Sequence, residues 1–123
     1  MPHRESTVER RATLFREAVA IIERDYAGPV EVNEVAREIA TSRRQLQRVF
    51  SERGTDFRTV LREVRMRRAV DLLRTENMPV KRVAYSVGYR QPAQFAKTFR
   101  RQMGAAPSKY RAAVTPTRRF AHT

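Results

Sequence analysis

A chain of 123 residues has room for one ordinary domain, or for two small subdomains sharing a connecting element, and none for a large multi-domain enzyme. Hydrophobic residues make up 41% and charged residues 32%, with no apolar run near the roughly 20 residues of a membrane span. Without cysteine there is neither a disulfide framework nor a thiolate metal site, and a formal net charge of +13 makes a polyanion the expected partner.

The charge is unevenly spread. Residues 1–76 hold 16 Lys/Arg and all 13 Asp/Glu, whereas residues 77–123 hold ten Lys/Arg and no acid. The excess of 23 Arg over three Lys fits a GC-rich genome as well as it fits selection for bidentate phosphate and guanine contacts. The opening Met1-Pro2-His3-Arg4 has no apolar stretch of the secretory kind, so the expected location is cytoplasmic.

Taken in chain order, Ser6-Thr7-Val8-Glu9 has the spacing of a capping box and predicts a helix start. Val8, Ala12, Phe15, Val19 and Ile22 then step by three and four along one face, until Gly28 and Pro29 close the segment. Val32, Val35, Ala36 and Ile39 form the face of a second helix. After Thr41 and Ser42 a third carries Leu46, Val49 and Phe50 inward and stops at Gly54. A longer amphipathic helix is predicted between Asp56 and Glu76, with Phe57, Val60, Leu61, Val64, Ala69, Leu72 and Leu73 as its apolar positions. It ends before Asn77 and Pro79, because proline disfavours helical geometry in the preceding residue.

Beyond that helix the pattern returns. Shifted by 48 residues, Val32, Val35, Ala36, Ile39 and Ala40 align with Val80, Val83, Ala84, Val87 and Gly88. One extra turn residue moves the register, and Leu46, Arg48 and Phe50 align with Phe95, Lys97 and Phe99; after another, Gly54 aligns with Gly104. This is an internally repeated helix-turn-helix unit. Pro107-Ser108-Lys109-Tyr110-Arg111 predicts a short closing helix with proline at its first position.

The expected architecture is therefore all-α, with about seven helices in two helix-turn-helix subdomains joined by a long linker helix. Residues 6–54 form the first helix and first unit, 55–77 the linker, 78–113 the second unit, and 114–123 a disordered basic tail.

The second helix of such a unit reads base edges in the major groove while the first braces it across the backbone. In the first unit Arg43, Arg44, Gln47 and Arg48 fall on the face that Leu46, Val49 and Phe50 leave outside the core. In the second, Arg90, Gln91, Gln94 and Lys97 are the polar candidates, with Ala93 available to a thymine methyl. Arginine suits guanine and glutamine suits adenine, so both faces have the chemistry for direct readout. Either face alone would pass for a solvated charged surface; its recurrence at the same point of two units favours recognition. Arg100, Arg101, Lys109 and Arg111 are candidates for phosphate contacts. The linker, roughly 30 Å long at 1.5 Å per residue, suits major-groove segments about 34 Å apart on one side of DNA, so a monomer can read an asymmetric site, bending it where straight DNA does not match.

The stretch from Val32 to Arg111 resembles the DNA-binding domain of AraC/XylS transcription regulators. The resemblance rests most on Val83-Ala84-Tyr85-Ser86-Val87-Gly88-Tyr89, on Phe95 and Phe99, and on Gly104 followed by Pro107-Ser108-Lys109-Tyr110-Arg111. Arg65 to Ala69 with Leu72-Leu73 is similar to the family's linker helix, and Ser42 to Phe50 to its first recognition helix. What the resemblance implies is a seven-helix, two-subdomain fold with base contacts at positions matching Arg44, Gln47, Arg48, Gln94 and Lys97. It also implies a bacterial, nucleoid-associated activator of transcription that touches RNA polymerase. At this length the chain looks like the short stand-alone members, similar to the multiple-antibiotic-resistance and superoxide-response activators, with no attached sensor. Two positions depart from the family pattern. Ala40 stands where glycine is frequent, and Glu31 where Ser, Thr or Asp frequently caps the next helix.

Competing readings fare worse. His3 and His122 sit near opposite ends with no Cys or acidic cluster to complete a metal site, and Asp56, Glu63 and Asp71 read as helix caps or ion-pair partners rather than acid/base groups. No enzyme activity and no cofactor are expected. The alternative function is an architectural protein that bends DNA with little sequence preference. A recombinase targeting module would require a catalytic domain for which the length leaves no room.

Overall fold

A computed structural model describes residues 6–111, all-helical and without a strand among the described residues. The basic tail assigned to 114–123, the last two residues of the segment 78–113 and both histidines lie outside the described residues. Helix α1 (Thr7–Asp25) opens on the expected capping box: Ser6 Oγ accepts from Glu9 N at 3.0 Å, and Glu9 Oε1 accepts from Ser6 N at 3.0 Å. It stops at Asp25, short of Gly28, whose N–H donates back to the Asp25 carbonyl at 2.9 Å. Then follow α2 (Val32–Glu38), α3 (Arg43–Ser51), α4 (Phe57–Thr75), α5 (Val80–Ser86) and α6 (Pro92–Met103), with residues 107–111 a seventh, short helix.

The chain divides into two compact units between Val64 and Arg65, within α4. In the first, α1 supplies Ala18, Ile21 and Ile22, α2 Val35 and Ala36, α3 Leu46 and Phe50, and α4 Phe57, Val60 and Val64 to one buried cluster. Phe50 lies at its centre, its ring centroid 5.1 Å from Phe15 and 5.9 Å from Phe57, so one aromatic side chain links three helices. Arg24 fastens α1 to α2 by donating to Asp25 and to Glu38, each at 2.9 Å at the first contact. The Arg24 hydrogen bonds hold both carboxyls below their ordinary range.

In the second unit Met66, Ala69 and Leu73 of α4 are buried with Val83, Ala84 and Val87, and with Phe95 and Phe99 of α6. A row of rings runs from Tyr89 to Phe95 at 5.5 Å, to Phe99 at 5.7 Å and on to Tyr110 at 5.2 Å. The closing helix is thus tied to the unit by Tyr110, whose hydroxyl also donates to the Met103 carbonyl at 3.3 Å. At the other end of the row the partly buried Arg65 guanidinium sits 5.7 Å from the Tyr89 ring, and burial lowers its pKa.

One sequence expectation needs correction. The linker does not carry a single apolar stripe. Phe57, Val60 and Val64 step by three and four, as do Met66, Ala69 and Leu73, but the step from Val64 to Met66 is two. The buried face therefore changes register within α4, and Met66, absent from the expected stripe, is a core residue of the second unit.

The repeat extends to individual hydrogen bonds. Thr41 N donates to the Ala36 carbonyl at 2.9 Å, and Tyr89 N to the Ala84 carbonyl at 3.0 Å; Ile39 N donates to Val35 and Val87 N to Val83, both at 3.1 Å. Both turns need a left-handed residue at the same point, Ala40 with φ 58° and Gly88 with φ 101°. A Cβ in that region crowds the adjacent carbonyl, at a cost of about 1–2 kcal/mol. Ala40→Gly should therefore stabilise the fold by about 1 kcal/mol and Gly88→Ala destabilise it by a similar amount, as read by urea unfolding. Unchanged midpoints in both variants would remove the strain from the account.

Candidate nucleic-acid interface

Helix α3 is aimed by its cap and its core. Ser42 Oγ accepts from Gln45 N at 3.0 Å, fixing the helix start, while Leu46, Val49 and Phe50 are buried. With 3.6 residues per turn this leaves Arg43, Arg44, Gln47 and Arg48 together on the outward face, and all four are exposed. The structure brings the first unit's four sequence candidates onto one surface.

Helix α6 starts differently. Pro92 occupies its first turn, where a missing N–H costs nothing, and Gln91 is the N-cap without a side-chain cap bond. Phe95, Thr98 and Phe99 are buried, so Ala93, Gln94 and Lys97 face outward, preceded by the exposed Arg90 and Gln91. Thr98 is only 4% exposed, and its hydroxyl accepts from Gln94 Nε2 at 3.4 Å, which restrains the amide on the candidate reading face. A shallow concavity of about 380 Å³, lined by Ala96, Lys97, Arg100 and Arg101, continues that face toward the end of the helix.

The remaining phosphate candidates separate. Lys109 is exposed, but Arg111 is partly buried and donates to the backbone carbonyls of Glu76, at 3.2 Å, and of Met78. It ties the closing helix to the end of α4, a role that needs coordinates to see because the partners are 35 and 33 residues away. Asp56, read as a cap, accepts from Thr59 N at 2.8 Å, and that backbone bond depresses its pKa. Glu31 precedes α2 without a side-chain cap bond, as its chemistry suggested. Lys81 and Arg82 of α5, which the sequence expectations did not single out, line an open concavity of about 520 Å³ with Pro79 and Tyr85. Tyr85 is 47% exposed, unusual for a large ring.

No group of three or more His, Cys, Asp or Glu suited to a metal ion occurs among the described residues, and no helix among them is long and apolar enough to cross a membrane. The geometry defines a class: paired helix-turn-helix units, each with a capped or proline-started second helix turning a basic and amide face outward.

Comparison with known proteins agrees. Residues 35–113 match the helix-turn-helix domain family. The chain is 33% identical over 114 residues to the HTH-type transcriptional regulator GlxA of Rhizobium meliloti (strain 1021), covering 89% of this chain and 35% of that protein. It also resembles the crystal structure of an AraC-type transcriptional regulator from Chromobacterium violaceum, with a TM-score of 0.80 and 27% identity over 82% of this chain and 91% of that one. The DNA-binding domain of AdpA, a global transcriptional factor solved in complex with a target DNA, is 33% identical with a TM-score of 0.74, covering 84% of this chain and 94% of that domain. The chain belongs to the helix-turn-helix domain family as an AraC/XylS-type DNA-binding domain. It spans about a third of the length of the GlxA regulator, and 24% of the ornithine utilization regulator of Pseudomonas aeruginosa that it also matches.

Proposed function

We propose that this chain is a sequence-specific double-stranded DNA-binding transcription regulator that acts as an activator. In this reading the first unit (6–54) and the second (78–113) are joined by a linker helix (55–77) and read adjacent major-groove segments as one monomer. The observation that carries it is the recurrence of one exposed face in two units: Arg43, Arg44, Gln47 and Arg48 on α3, and Gln94 and Lys97 on α6, each opposite a buried apolar side. Such faces match the donor and acceptor patterns of base edges. The AdpA domain, solved on a target DNA, supports duplex DNA as the ligand. Arg100, Arg101 and Lys109 are the phosphate contacts of this reading, in a cytoplasmic, nucleoid-associated protein that contacts RNA polymerase.

Selection of binding sites from random duplexes, followed by footprinting, tests it. Two short boxes about one helical turn apart, occupied by one chain per site, are expected. Even protection along any duplex would establish an architectural protein instead. Transcription reconstituted on a promoter carrying the selected site reads the sign of regulation, with stimulation expected.

A further inference from the structure

The two units share their turns and cores but not their outward charge. Helix α2 with its cap carries Glu31, Glu34 and Glu38 against Arg37, net −2; α5 with its cap carries Lys81 and Arg82 and no acid, net +2. In the aligned register Asn33 and Glu34 stand where the second unit has Lys81 and Arg82, and all four are exposed. The contrast recurs on the recognition helices and the residue just past α3. Ser51 and Glu52 of the first unit occupy the places of Arg100 and Arg101 in the second, and Glu52 is further neutralised by Arg11 at 3.6 Å. Lys81 and Arg82 have no ion-pair partner among the described residues, and they flank Tyr85 in the open concavity on α5.

The first helix of a helix-turn-helix unit crosses the DNA backbone. There a cation releases condensed counterions and a carboxylate repels. We propose that the two units divide the work. The second is the electrostatic anchor, its phosphate-binding surface extending from α6 onto Lys81, Arg82 and the Tyr85 hydroxyl of α5. The first withholds charge from the backbone and holds DNA mainly when the face of Arg43, Arg44, Gln47 and Arg48 meets the right bases. Tyrosine hydroxyls are among the groups that donate to phosphate oxygens, which gives the exposed Tyr85 a use beside two cations. This division rests on the DNA-binding reading above, but it concerns which residues supply affinity and which supply discrimination.

The test measures the affinity of the full chain for a selected site and for a random-sequence duplex across a range of salt concentrations. Lys81→Ala/Arg82→Ala should make the slope of log K against log salt shallower by about 1.8 on both duplexes, two phosphate contacts at about 0.9 each, and leave the preference for the selected site unchanged. The reciprocal graft, Asn33→Lys/Glu34→Arg, should steepen the slope by a similar amount, strengthen random-duplex binding and reduce the preference. A slope unmoved by the alanine pair overturns the proposal. If, with that slope unmoved, stimulated transcription falls, the α5 face meets an acidic protein surface instead. A graft that leaves random-duplex affinity unchanged also overturns it. Failure of the DNA-reading function itself would look different, as no preference for any selected site in the unaltered chain.

Discussion

Phe50→Ala should destabilise the first unit by about 3–5 kcal/mol. Phe50 is fully buried and its ring meets Phe15 of α1 and Phe57 of α4, so truncation opens a cavity at the junction of three helices. Whole small domains hold only about 5–15 kcal/mol of stability, so much of the unit's margin disappears. Because α3 is oriented through Phe50, the loss should also blur the face carrying Arg48. Urea unfolding should show a lowered midpoint for Phe50→Ala and a much smaller shift for Phe50→Leu, which retains most of the apolar volume. Equal and small shifts in the two variants would show that the aromatic junction does not hold the unit together.

Arg48→Ala and Lys97→Ala form the second large prediction. These residues occupy the same repeat position, exposed on α3 and α6 respectively, and each lies on the face opposite the buried phenylalanines. A side chain contacting a base edge contributes about 1–3 kcal/mol of discrimination, equivalent to roughly 5- to 150-fold in affinity. Binding to the selected site should weaken by that range while random-duplex binding changes much less. Equal losses on both duplexes would convert these residues from base readers to phosphate contacts. A loss from Arg48→Ala restricted to one box, with the other box's loss coming from Lys97→Ala, would also assign the boxes to the units.

Much of this was open to reading from residues alone, for a physical reason. Helix starts and stops depend on neighbours within four residues, so Ser6 with Glu9, Gly104 and Pro107 announced themselves. The outward faces of α3 and α6 followed equally well, because periodicity places buried and exposed positions without reference to the rest of the chain. The turn at Ala40 was only partly legible. Alignment with Gly88 marked the place, but a φ of 58° on an alanine is a matter of backbone geometry, imposed by a turn whose hydrogen bond joins Thr41 to Ala36. Lys81 and Arg82 went unremarked although the repeat already exposed their contrast with Asn33 and Glu34. The signal lies in the charges at aligned positions of α2 and α5, not in the recognition helices.

By itself the sequence determined a twofold helix-turn-helix chain, its repeat register, its polar outward faces and the concentration of positive charge after residue 76, because all of these are encoded in local spacing and residue type. Tertiary structure decided which core each part of α4 serves, through the register break between Val64 and Met66, and drew Arg111 to the carbonyls of Glu76 and Met78. Both depend on contacts between segments distant in the chain. A helical period cannot distinguish one core from another, and a cation's sequence position does not say whether an acceptor or solvent awaits it.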